Sequence, residues 1–363
     1  MKSQRPSQII VQKPSQLNKN WAQSILKNHP SNINKAIIIN KVDVLSVDVG
    51  TTTRVRLAVD HNGADDLPKR WFVKMPSLSY RAKAITALPR LLPTEVRFYK
   101  ELAGQIPVNK PKLISAHSRF GKGSTLVLKE VSEIGAGAGM AGDALSAGQA
   151  KLVVEHLANF HGHFISKAKN DPNFRWLAGP IRRLEDGLGT ALAVPLMRRG
   201  LRLASDWVAT KLHSPALRYA RYRKQMMQHL SKGTPTLVHH DCHPGNLFWH
   251  EGQPGFLDWQ MVRVGEEISD VSYFLATALA PEVRRSHEFD LLGHYHDILR
   301  KYNAASHDFN SLVGRYRAHL AYPFEAMTVT LAVGGMMSLE SNLEMLRRAA
   351  IAVEDHDTFA MLP

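Results

Sequence analysis

Residues 237–260 read LVHHDCHPGNLFWHEGQPGFLDWQ, and the reading of this stretch decides the fold. Asp241 is followed five residues later by Asn246, and Asp258 stands twelve residues further on, at the end of an apolar run. The pieces TLVHH (236–240), NLFWH (246–250) and PGFLDW (254–259) read as short strands. A turn between strands can hold Asp241 at its tip, with Asn246 and Asp258 on the two arms of a hairpin. One carboxylate beside a hydroxyl acceptor, with an amide and a second carboxylate on a hard cation, is what phosphoryl transfer asks of a protein. That reaction needs positioning and charge neutralisation more than covalent help. Oxygen donors suit magnesium.

Two further groups are expected outward from this stretch. A strand should present a lysine to nucleotide phosphates, and Lys74 in WFVKMP fits. A helix should carry a glutamate to fix that lysine, and Glu95 in LLPTEVRFYKELAG (91–104) fits. The surrounding pattern agrees. Residues 37–39, 42–50, 53–60 and 70–75 are β-branched runs, with a hairpin turn at His61-Asn62-Gly63 and the polar stretch after it. Strands are expected again at 112–115 and 124–131. IGAGAGMAGDALSAG (134–148) is the clearest composition break and reads as a joint. Beyond it, helices are expected over 147–165, around 201–231, and at 269–280, 281–303, 310–321 and 338–352. No repeat with a period of about 20–50 residues is visible.

In order, these parts resemble the aminoglycoside phosphotransferase/choline kinase superfamily, which has the protein-kinase-like fold. HHDCHPGN is similar to the H-G-D-x-H-x-x-N catalytic loop, and LDWQ to the metal motif I-D-W or I-D-F-Q. GEEISDVSYFLA (265–276) resembles the following G-x-P-x-x-D-L-A segment, with Asp270 at its structural aspartate, and LANFHGHF (157–164) resembles L-A-x-L-H-A. FVKMP, EVRFY (95–99) and DWQ look most like the ecdysteroid-kinase-like branch. The resemblance runs from about residue 35 to the end.

It implies an α+β, bilobal fold: a tail and lead-in over 1–34, an antiparallel-sheet N-lobe with one main helix over 35–131, and a helical C-lobe over 132–363. It implies ATP and Mg as cofactors and a small-molecule hydroxyl acceptor. Asp241 would orient or deprotonate the acceptor, and Asn246 and Asp258 would hold Mg. Lys74, positioned by Glu95, would contact the α- and β-phosphates. The strand from Leu126 through Leu128 to Glu130 would flank the adenine. His239 would buttress the loop, and His240 and His243 would serve structure or substrate. His240 departs from the family's usual Gly. The phosphate loop VDVGTTTRVR offers one glycine, Gly50, with Thr51 and Thr52 as hydroxyl donors in place of further glycines.

Composition bounds the rest. The chain has 363 residues with 44% hydrophobic and 21% charged, which is globular. A single cysteine, Cys242, forbids an internal disulfide, and the N-terminus lacks the apolar core of a secretory signal, so a cytoplasmic protein is expected. The longest weakly polar run, 326–337, is too short to span a bilayer. The net charge of +14 first points to a polyanionic partner. It is uneven, however: 37 basic against 15 acidic residues in 1–240, and 9 against 17 in 241–363.

Three rival readings compete with this one. GAGMAG (137–142) matches a dinucleotide-binding glycine motif but follows no βαβ pattern. His161, His163, His239, His240, Asp241 and His243 offer a metal-dependent hydrolase, which leaves Lys74, Glu95 and Asn246 without a role. The ten Lys/Arg against three acids of 182–224 offer a non-catalytic nucleotide or nucleic-acid binder. No nucleic-acid motif accompanies that charge, so nucleic acid is not the expected partner.

Overall fold

The computed structural model describes residues 9–27, 37–63, 67–79, 90–168, 170–302 and 308–363. The expected tail over 1–8, much of the lead-in before residue 35, the polar stretch 64–66 and the end of the 281–303 helix lie outside the described residues. The chain divides into two compact units. The first holds residues up to Ala138 together with Phe248–Glu251 and Gly255–Met261, and the second holds the rest. Asp258 therefore groups with the sheet-bearing unit and not with the helical region that was expected to carry it.

In the first unit, helix α1 (Lys19–Lys27) precedes strands β1 (Ile39–Val49), β2 (Thr52–His61) and β3 (Arg70–Pro76). Helix α2 (Leu91–Glu101) and strands β4 (Leu113–Arg119) and β5 (Gly123–Lys129) follow. The five strands form one antiparallel sheet in the order β1-β2-β3-β5-β4. The runs 37–39 and 42–50, read as separate, form a single strand whose pairing slips at two points. Strand period two sends Val55, Leu57, Val59, Trp71, Val73 and Met75 to one buried face.

That face is covered by the N-terminal segment. Ile9, Val11, Leu17, Trp21, Ile25 and Leu26 are buried in the same cluster as Trp71 and Val73. The Trp21 and Trp71 rings meet edge to face at 6.0 Å, and the Trp21 indole N–H donates to Ile9 O at 3.0 Å. The described part of the expected tail and lead-in thus contributes to the core. Each such side chain contributes about 1.5–3 kcal/mol when fully buried. Its signal was an apolar i, i+4, i+5 set (Trp21, Ile25, Leu26) inside polar sequence.

In the second unit, helix α3 (Ala147–Ala168) follows the two-residue strand β6 (Gly137–Ala138) of the first. Then come α4 (Pro180–Leu203), α5 (His213–Arg221), α6 (Arg223–His229) and β7 (Pro235–Val238). Short strands β8 (Leu247–His250) and β9 (Gln253–Phe256), whose residues are divided between the units, and β10 (Arg263–Glu266) precede α7 (Ile268–Ala278), α8 (Pro281–Lys301), α9 (Phe309–His319), α10 (Ala321–Val333) and α11 (Leu339–Asp355). β10 pairs antiparallel with β7, Arg263 opposite Val238. Three elements of this stretch went unforeseen. α4 carries Gly187, Gly189 and Pro195, poor helix formers, β10 is four residues bearing charge at both ends, and α10 hides in a run broken by Pro323 and rich in Thr and Val, which favour strands.

The glycine-rich joint explains itself by packing. A side chain at Gly139 would meet Pro244 O at 2.3 Å, and Gly139 N donates to Leu247 O at 2.9 Å. The glycine lets this segment lie directly against residues 244–247, so no dinucleotide is needed to account for it. Among the described residues, no helix is long and apolar enough to cross a membrane.

Candidate functional site

In the first unit, Lys74 emerges from the sheet face opposite Val73 and Met75, because side chains alternate along β3. Its Nζ donates to both oxygens of Glu95, at 2.9 and 2.8 Å, and lies 3.0 Å from Oδ1 of Asp258. Lys74 is 4% exposed and Glu95 is fully buried. Burial pulls the Lys74 pKa down, and the carboxylates of Asp258 and Glu95 more than reverse it. Burial pushes Glu95 up to about 7 against the opposing pull of Lys74. Two carboxylates share one ammonium here, so the more deeply buried one carries the strain. Tyr99, one turn along α2, has its phenol raised well above the usual range by burial and then by Glu95 and Asp258.

Helix α2 also fixes the segment that carries Asp258. The Phe98 ring stacks on Trp259 at 4.4 Å and 8°, and the Trp259 backbone N–H donates to Glu95. Asp258 has φ +56, a left-handed conformation uncommon for a residue with a side chain. Leu126 and Leu128 lie buried on β5, with Leu126 directly opposite Lys74. Glu130 follows that strand, and its carboxylate takes the Arg56 Nε at 2.9 Å. Gly50 closes the β1–β2 turn, its N–H bonded to Thr52 O at 3.0 Å. Thr51 is half-buried at this turn, and Thr52 is buried. The third threonine, Thr53, is buried with its hydroxyl accepting from Leu78 N, so its oxygen serves the turn.

In the second unit, Asp241 is held from both sides. Its Oδ1 accepts from the Tyr273 hydroxyl at 2.9 Å, and its Oδ2 accepts from Asn246 Nδ2 at 3.0 Å. Asn246 Nδ2 also donates to Asp241 O at 2.9 Å. Both amide hydrogens of Asn246 are thereby turned onto Asp241, which leaves its oxygen, the donor atom a hard cation takes. His243 caps the next turn, its Nδ1 accepting from Gly245 N at 3.1 Å.

Asp270, fully buried near the start of α7, organises the entry to this loop. Its Oδ2 accepts the His239 N–H and its Oδ1 the His240 N–H, both at 2.7 Å, and His161 Nε2 lies 3.2 Å from Oδ2. His161 Nδ1 is bonded in turn to the Tyr295 hydroxyl at 2.7 Å. The clamp explains His240, where the family usually has Gly. Its φ is +69, the left-handed region in which glycine is at ease. The imidazole stacks on Tyr322 at 4.2 Å and 19°, and Arg263 Nη1 lies 3.4 Å from its Nε2. Arg263 is itself held by both oxygens of Asp186, at 3.0 and 2.8 Å.

Within the first unit, then, Lys74, Glu95 and Asp258 come together. Within the second, Asp241, Asn246, His239, His240, His243 and Asp270 do. Three histidines of the hydrolase reading are committed to this scaffold: His161 by both nitrogens, His243 by its turn, His240 by its stack. Among the described residues, no three His, Cys, Asp or Glu side chains gather as a metal cluster. Tyr273, Tyr322 and Arg263 were missed. Tyr273 had a faint signal, one helical turn after Asp270; the other two come from α10 and β10, elements that were themselves unforeseen.

The phosphotransferase enzyme family, APH, matches residues 48–304. No curated protein matches the chain. Among solved structures, a choline kinase from Cryptosporidium parvum is similar at 12% identity with a TM-score of 0.51, covering 95% of this chain and 98% of that one. A protein of Ralstonia eutropha assigned to the aminoglycoside phosphotransferases is similar at 12% identity with a TM-score of 0.50, covering 94% and 98%. At such identities the likeness speaks for the fold, an antiparallel-sheet unit and a helical unit of the kinase-like type. With most of its length matched by the family, the chain belongs to the APH phosphotransferases.

Proposed function

We propose that this protein is a small-molecule kinase that transfers the γ-phosphoryl group of ATP to a hydroxyl, with Mg as its metal. The observation that carries the reading is the Asp241 carboxylate, gripped by Tyr273 and Asn246 on a loop that Asp270 pins by two backbone amides. A carboxylate so fixed can accept a hydrogen bond from an alcohol and take its proton as the oxygen attacks. Lys74, its head set by Glu95, is read as the contact to the α- and β-phosphates. Asn246 and Asp258 are read as the metal ligands, each offering an oxygen; bound there, Mg would neutralise charge on the phosphates. Leu126, Leu128 and Glu130 are assigned to the adenine side, and Gly50, Thr51 and Thr52 to the phosphate turn.

For the acceptor we infer a neutral, flat alcohol, in line with the sequence likeness to the ecdysteroid-kinase-like branch. What supports this is the stacked ring pair of His240, the residue before Asp241, and Tyr322, a rigid aromatic wall suited to a planar skeleton. The nearby guanidinium of Arg263 is already neutralised by Asp186. The buried, unpaired Cys242 agrees with a cytoplasmic setting.

The test is Asp241→Asn, with ADP release measured over a panel of hydroxylated small molecules. Loss of turnover on the order of 10² or more is expected, with ATP binding kept. Retained turnover refutes the assignment.

A further inference from the structure

We propose that Arg54 binds the nucleotide phosphates in place of a glycine-rich loop, with Asp48 as its counter-ion when no nucleotide is bound. The inference rests on the ATP reading above and adds a residue to it.

The β1–β2 turn is poorly made for cradling phosphate through backbone amides. Its one glycine, Gly50, already spends its N–H on Thr52 O, at 3.0 Å. The turn is stapled from behind as well: Ser77 Oγ donates to Gly50 O at 2.7 Å, and Leu78 N donates to Thr53 Oγ1 at 2.9 Å. A turn stapled in this way, with the amide of its one glycine in use, is poorly shaped to wrap an anion as a glycine-rich loop does. The positive charge has to come from a side chain.

Arg54 is where that side chain would have to be. In the β2–β3 register it lies directly opposite Lys74. Directly opposed residues of an antiparallel pair project to the same face of the sheet. Arg54 and Lys74 therefore stand side by side on one face, at the end of the hairpin next to the turn. The guanidinium reaches back toward that turn, since a Cβ placed on Gly50 would lie 3.3 Å from Arg54 Nη2. Gly50 is thus read as making room for an arginine.

The present bonding of Arg54 is incomplete. Nη2 pairs with Asp48 at 2.6 Å, while Nε is buried and has no hydrogen-bond partner among the described residues. Asp48 is more than half exposed, and an exposed pair of this kind is weak and readily exchanged. A phosphate offers what Asp48 does not, several oxygens in a geometry that a guanidinium fork can take up two at a time. Lys74 is spoken for by two carboxylates, so a second cation on the same face adds the charge that a polyphosphate needs.

The experiment is equilibrium binding of ATP, ADP and adenosine to the full chain by calorimetry, with Mg present. Arg54→Gln should weaken ATP by about tenfold or more and leave adenosine within about twofold, because the lost contact is to phosphate. Arg54→Lys should recover part of the affinity. Asp48→Asn should tighten ATP a few-fold by removing the competing carboxylate. This opposite sign guards against a variant that merely misfolds, and thermal melts of each unliganded variant provide the folding control. Equal ATP affinity in wild type and Arg54→Gln, or weaker ATP binding in Asp48→Asn, overturns the inference and leaves the kinase reading standing. A wild-type chain that binds no ATP overturns both.

Discussion

Asp270→Asn tests the internal wiring of the loop that bears Asp241 without knowledge of the acceptor. The carboxylate is fully buried and accepts the His239 and His240 amides through different oxygens, each at 2.7 Å, with His161 beside one of them. Asparagine keeps the shape but offers one oxygen. If that oxygen serves His239 and His161, the new NH2 group faces the His240 N–H, donor against donor. One charge-assisted bond goes, worth about 1.5–3 kcal/mol, and a buried amide is left unpaired at about 1–3 kcal/mol. The expected loss is about 3–5 kcal/mol, read as a shift of the urea midpoint with the slope unchanged. The left-handed His240 is held by the amide that loses its partner, so Asp241 should be misplaced too, and turnover should fall even in molecules still folded. A loss below about 1 kcal/mol would show that the carboxylate is not what holds the loop, and the argument for a pinned Asp241 would fail with it.

Three further outcomes are expected. Burial pushes Glu267 up to about 8, whereas an unfolded chain leaves a glutamate near its ordinary value, so its contribution is full at low pH and lost as pH rises through 8; Glu267→Gln should gain about 3 kcal/mol at pH 7 and nothing near pH 4 in denaturation experiments. Lys74→Ala leaves Glu95 and Asp258 without their ammonium, and should cost about 3–5 kcal/mol at pH 8, less at pH 5 where a carboxyl can take up a proton, besides weakening ATP in a binding titration. His240→Gly trades the Tyr322 stack for relief of a left-handed backbone and should melt within a few degrees of wild type, whereas His240→Val, β-branched at φ +69, should melt far lower.

The parts of the site that could be read from sequence are those whose chemistry forces a residue type at a short spacing. Lys74 and Glu95 are 21 residues apart on adjoining elements, and Asp241 and Asn246 share one turn. Strand and helix periods were strong enough to frame both groups. What sequence could not give is contact made by remote packing. Tyr322 meets His240 across 82 residues, and Arg263 meets Asp186 across 77. Neither tyrosine nor arginine carries a mark that tells a bond to a loop from a place on a surface. The N-terminal segment is a different failure. Its apolar residues were visible, but lysines and asparagines between them hid the stripe that buries Trp21 against Trp71.

The charge asymmetry changes meaning once partners are known. Residues 241–363 carry 17 acids against 9 bases, which invites a cationic acceptor. Several of those acids are buried and already answered within the fold. Glu266 is bonded by Arg315 and lies beside His319, and these hold its carboxyl down at about 2 despite burial. Glu288 takes Arg284 and His356, and Glu325 takes Arg223 and the Tyr219 hydroxyl. Glu267, near 8, is largely uncharged at neutral pH. An acid paired inside a fold contributes little to the field a ligand meets outside it. Glu325 is answered by Arg223, a base outside this stretch, and Glu267 sheds its charge, so part of the formal excess of acids is spent within the fold and does not by itself call for a polycation at Asp241. The neutral alcohol proposed as acceptor asks nothing of that charge.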